Sequence, residues 1–144
     1  MGYQWLEMRI TEENERRQRE TMTLDRLPSI MDEVNSAIAE CTEAYREAFG
    51  KESIDLSYFL HKIRLTVREQ KEGKWEKAAR VEISTLTKPP SLHIDRNGDV
   101  IDIEVGILPG DKVFYKDGEK FLTMEELTRR ILDRSLFPKL TAEV

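Results

Sequence analysis

The sequence predicts an α+β fold: two N-terminal helices, the second long and heptad-patterned, then an antiparallel sheet of about six strands built from three hairpins, and a C-terminal helix. Three observations carry this reading. Apolar residues recur at alternating steps of three and four up to Phe49, the period becomes two after Gly50, and short turn signals punctuate the remainder of the chain.

The first helix is read from Thr11–Glu20, a run of Glu, Arg and Gln with almost no apolar residue. Glu12 with Arg16 and Glu15 with Arg19 stand at i,i+4 in the favourable order, so this stretch reads as a solvated helix. Pro28 lacks an amide N–H and suits the first turn of a helix, which predicts a joint near Asp25–Pro28 and a second helix to about Phe49. That helix would run for about 33 Å and stop at Gly50. Its apolar seam is Leu24, Leu27, Met31, Val34, Ile38, Cys41, Tyr45 and Ala48, the spacing that turns one narrow stripe toward a partner.

Beyond Gly50, Ile63, Leu65 and Val67 alternate with Lys62, Arg64, Thr66 and Arg68, and Trp75, Ala79, Val81 and Ile83 continue the alternation after a turn at Gly73. Lys88, Pro89 and Pro90 then interrupt the sheet as a connection. Leu92 and Ile94 pair through an Asn97-Gly98 turn with Ile101, Ile103 and Val105, because Asn-Gly supplies the two positive φ angles of a type I′ hairpin. Gly106–Gly110 reads as a loop, and Asp117-Gly118 closes a third hairpin between Val113–Tyr115 and Lys120–Leu122. Thr123 and Glu126 form a capping box that opens a helix carrying Leu127, Ile131 and Leu132, which ends by Pro138.

A chain of 144 residues can bury a core without a disulfide or metal, and residues 1–50 are expected to join residues 51–144 in one compact domain. Charged residues make up 35% and apolar residues 39%, a balance that excludes a disordered tail or a helical membrane protein. Residues 1–9 have neither a basic n-region nor an apolar h-region, so no secretory signal and a cytoplasmic location are expected. A single cysteine agrees with a reducing compartment. Charge is uneven: residues 1–50 carry 6 basic and 11 acidic side chains, whereas residues 51–90 carry 9 and 6.

The candidates for chemistry are few, and each has a plain structural reading beside it. Cys41 occupies a seam position, where a thiol packs as a small hydrophobe. His61 shares the parity of Ile63 and reads as a histidine at the end of the core face. The Asn97-Gly98 turn sets His93 opposite Asp102, an arrangement that can orient an imidazole as a base and is also an ordinary cross-strand charge pair. Asp95–Asp99 and Asp117–Glu119 imitate calcium loops, but the glycine and glutamate spacing of an EF-hand is missing, and both are hairpin turns. No metal site, cofactor motif or phosphate loop is expected.

Lys62, Arg64, Arg68, Lys74 and Arg80 share one parity of the first hairpin and form a candidate basic face. Glu76 and Glu82 dilute it, and no exposed aromatic accompanies it for base stacking, so nucleic acid is a disfavoured partner. Trp5 and Met8 are apolar residues on a polar stretch and need a covering surface.

The first functional expectation is a non-catalytic protein-interaction or oligomerisation module whose seam meets a second copy or another helical protein. A small-ligand-binding or enzymatic domain with a pocket between sheet and helix is the alternative, and a nucleic-acid-binding accessory protein using the basic face is the third. The seam also has an intramolecular explanation, since a long helix lying across its own sheet requires an apolar stripe.

Overall fold

A computed structural model describes residues 2–141. Its first element, α1, runs unbroken from Gln4–Phe49, so the two predicted helices are one of 46 residues, about 69 Å long. Pro28 stands inside it, on the solvent side. A proline there removes one backbone hydrogen bond and costs about 3 kcal/mol. Ile30, Met31, Val34 and Ile38 come directly after it at 0–2% exposure, and each contributes about 1.5–3 kcal/mol by leaving water, which is why the helix continues through the proline. Gly50, at φ 112°, ends the helix by donating its N–H to Arg46 O at 2.8 Å.

The sheet has seven strands instead of about six: β1 (Ile54–Phe59), β2 (Lys62–Lys71), β3 (Lys74–Thr87), β4 (Pro90–Arg96), β5 (Asp99–Leu108), β6 (Lys112–Asp117) and β7 (Lys120–Leu122). Each pairs antiparallel with its neighbour in sequence, giving the order β1-β2-β3-β4-β5-β6-β7. The added strand is β1, in which Ile54, Leu56 and Tyr58 alternate inward, and it joins β2 through Leu60-His61 at φ 51° and 57°. His61 is therefore an exposed turn residue and not the end of the core face.

Two further expectations are corrected. Lys88–Pro89 does not interrupt the sheet, because Thr87 pairs with Pro90 across that dipeptide and β3 passes directly into β4. Gly106 belongs to β5, opposite Phe114, where a Cβ would collide with the Phe114 ring; the glycine allows that ring to lie flat across the strand.

Thr123 caps α2 (Met124–Leu136) with both bonds of the capping box at 3.1 Å. Pro138 starts a one-turn helix, α3 (Pro138–Thr141), as its preset φ suits a first helical position.

Alternating strand positions form one core with both long helices: Ile54, Leu65, Val81, Ile94 and Ile103 from the sheet meet Met31, Val34 and Ile38 of α1 and Leu127 and Ile131 of α2. The opposite face of the sheet is mostly polar.

Candidate functional site

The apolar seam of α1 is filled by its own sheet. Leu27, Met31, Val34 and Ile38 are 0–6% exposed within the core, Leu24, Cys41 and Tyr45 pack half-buried against it, and Ala48 is exposed. The buried residues also include Thr23, Ile30 and Thr42, which a strict heptad omits. A helix on a sheet needs no supercoil, so the covered stripe follows 3.6 residues per turn and drifts off the 3.5 spacing, passing from Cys41 to Thr42. The central seam residues face their own chain and leave no stripe there for a second helix.

His93 and Asp102 are directly opposed on β4 and β5, with Nδ1 and Oδ1 2.7 Å apart. Ser84 on β3 faces His93 from the other side, so the outward face holds Ser84, His93 and Asp102 in one cross-strand row. Ser84 escapes a sequence reading because Lys88–Pro89 looks like a break in the sheet. Among the described residues Ser84 makes no side-chain hydrogen bond to the ring, and His93 and Asp102 are 36% and 53% exposed. Such a pair orients an imidazole and contributes at most about 1 kcal/mol.

The basic hairpin face is divided. Arg64 pairs with Glu82 at 3.2 Å, and Arg68 pairs with Asp55 of β1. A bulge between Val67 and Arg68 leaves Ala78 without a cross-strand partner and sets Lys74 opposite Lys71, off the parity of Arg64 and Arg80. Lys62 stays on the face, beside the β1–β2 turn.

Two features lie outside the expected sites. The first is the arm of α1 from Gln4 to Met22, which precedes the first buried residue, Thr23, and spans about 28 Å. Its ion pairs run within the helix, from Arg9 to Glu12, Arg16 to Glu13 and Glu20, Arg17 to Glu13 and Arg19 to Glu15. The Arg16 guanidinium bonded to Glu13 holds that carboxyl below its usual value. At the arm's end Tyr3, Trp5, Leu6, Met8 and Ile10 are 72%, 66%, 42%, 64% and 51% exposed. Tyr3, Leu6 and Ile10 continue the phase of the seam through Glu13, Arg17 and Glu20 to Leu24, whereas Trp5 and Met8 project from another side of the same turns.

The second feature is a charged chamber of about 490 Å³ between the ends of β4–β7 and α2. Four inward-facing strand positions lose their apolar character here: Arg96 ends β4, Asp99 begins β5, Asp117 ends β6 and Lys120 begins β7. From α2, Arg130 reaches Asp117 at 2.8 Å and Arg134 reaches Asp99 at 3.3 Å. Arg96 is 5% exposed, with one guanidinium nitrogen on Asp99 at 2.6 Å and another on the Arg130 carbonyl at 3.0 Å. Its Nε has no hydrogen-bond partner among the described residues. At the rim, Glu126 is held below its usual pKa by the Thr123 backbone N–H and by Lys120.

A separate hollow, an apolar groove of about 420 Å³, lies between the end of α1 and α2. Cys41, Ala48 and Leu136 line it beside Tyr45, Phe49 and Phe137; the Tyr45 ring meets each phenylalanine at a tilt, and the two phenylalanines meet edge to face. Among the described residues no helix is long and apolar enough to cross a membrane, and no group of three His, Cys, Asp or Glu side chains is placed to hold a metal ion. The architecture defines an α+β protein with an antiparallel meander covered on one face by helices. Compared with known proteins, the chain matches no family model, no curated protein and no solved structure.

Proposed function

We propose that this protein is a non-catalytic interaction module that self-associates through the N-terminal arm of α1. The observation that carries the reading is the apolar tip, five large side chains within eight residues, at the end of a helix that has left its own core. The phase of the seam, carried along the arm by Glu13, Arg17 and Glu20, returns to apolar side chains at Tyr3, Leu6 and Ile10, which lie beyond the edge of the domain and are 42–72% exposed. A second copy is the partner that brings the same stripe, and a two-fold contact between identical stripes closes without further subunits. All four arginines of the arm pair with glutamates of the same helix and leave only a small net charge, so repulsion between two arms is modest.

The test is light scattering after size exclusion on the full chain and on a Leu6→Glu, Ile10→Glu variant. The expected result is a dimer that becomes a monomer in the variant while the circular dichroism of the folded domain is retained, since both positions lie outside the core. A wild-type monomer at every concentration, or a dimer that ignores the substitutions, would overturn the reading.

A further inference from the structure

We infer that the chamber beneath α2 is a binding site for a phosphate dianion, free or carried on a small organic molecule. Four strands carry a charge at a core-parity position of the same end, and one of these, Arg96, is 5% exposed, where an ionic group costs most. Cations exceed carboxylates in the cluster, because Asp99 is shared between Arg96 and Arg134 while Arg130, Lys120 and Arg129 hold one carboxylate each. Arg96 is fixed at the floor by its two bonds and keeps one buried donor without a partner among the described residues, a charge already desolvated and oriented before any ligand arrives. Above it, Arg130, Arg134 and Lys120 are 40%, 68% and 70% exposed and free to swing from their carboxylates onto an entering anion.

Phosphate is favoured over a single carboxylate because its charge and its several oxygens can engage more than one guanidinium fork at once. A volume of about 490 Å³ lies in the range of small-molecule sites, which argues for a free or small phosphorylated ligand over a macromolecule. The inference is independent of the arm, since the chamber uses none of the residues from Tyr3 to Met22.

Titration calorimetry on the full chain with inorganic phosphate and with phenyl phosphate, each against chloride at equal ionic strength, tests it. Saturable heat is expected from at least one of the two, and the tighter of them identifies whether the chamber takes the free or the esterified form. Arg130→Gln and Arg134→Gln should each weaken that binding about tenfold by removing a charge-assisted contact. Asp99→Asn should strengthen it by removing the competing carboxylate. Melting curves of the three variants in chloride establish that they fold. Absence of saturable heat from both ligands, or binding that the arginine substitutions leave unchanged in folded protein, would overturn the assignment and leave the cluster as an ion-pair cap on the core.

Discussion

Ile38→Ala tests the most consequential structural statement, that the apolar stripe of α1 belongs to its own sheet. Ile38 is completely buried. The substitution removes three carbons, about 2.4 kcal/mol at ~0.8 kcal/mol for each. The cavity left between α1 and the sheet adds to that loss, for a total of about 2–5 kcal/mol. Against a typical stability of about 5–15 kcal/mol this is a large fraction of the whole. In urea the midpoint should fall by about 1–2 M with an unchanged slope, because the surface exposed on unfolding is nearly the same. In the Leu6→Glu, Ile10→Glu background, which removes the arm contact, the curve should also be independent of protein concentration, since the packing that Ile38 supplies lies within one chain. A loss below about 1 kcal/mol, or a midpoint that still rises as protein is added in that background, would refute the reasoning and return the stripe to an intermolecular seam.

Other expectations rest on equally local features. Thr123→Ala removes the hydroxyl of the capping box and should cost about 1 kcal/mol in the same urea assay. Gly106→Ala sets a methyl group into the Phe114 ring and should destabilise by about 1–3 kcal/mol, and Phe114→Ala in the same chain should recover part of that loss, as a double-mutant cycle would show. Burial, reinforced by the nearby Glu33 carboxylate, pushes the Tyr115 phenol up to about 12, and burial with the Asp32 hydrogen bond does the same for Tyr58. Because these folded values lie above the ordinary phenol value of 10.0, the native state favours the neutral phenols. The associated stability is complete below pH 10 and is lost as pH rises toward about 12, which phenolate absorbance and melting temperature measured across that window would detect.

Where turn chemistry is strong, the register can be read in advance. Asn97 and Gly98 adopt φ 53° and 91°, and His93 meets Asp102 as the two-residue turn requires. Where ordinary residues do the same work, nothing marks the turn: Leu60 and His61 both take positive φ, so β1 is absent from the expected sheet. Prolines mislead in two ways. Pro28 reads as a joint but is held within a helix by the burial of its next two turns, and Lys88–Pro89 reads as a break but serves as a hairpin turn. The seam is visible in the sequence and its partner is not, because an apolar stripe carries no label for sheet or second helix. The chamber is hidden for a related reason: Arg96, Asp117 and Lys120 look like unrelated surface charges until the register gathers them at one end of the sheet and buries Arg96.

The meander also governs the order of events during synthesis. Each strand finds its partner across a short turn, so the sheet can assemble from hairpins that close in about 1–10 μs. The stripe of α1 leaves the ribosome before the strands that cover it, and α2 comes after them all. At about 5–20 residues per second, that stripe stays wet for several seconds after its helix is complete. A circular permutant that starts at Lys51 and appends α1 after α2 would present a finished sheet to the emerging helix, and its folding in the cell should depend less on holdase chaperones than the natural order does.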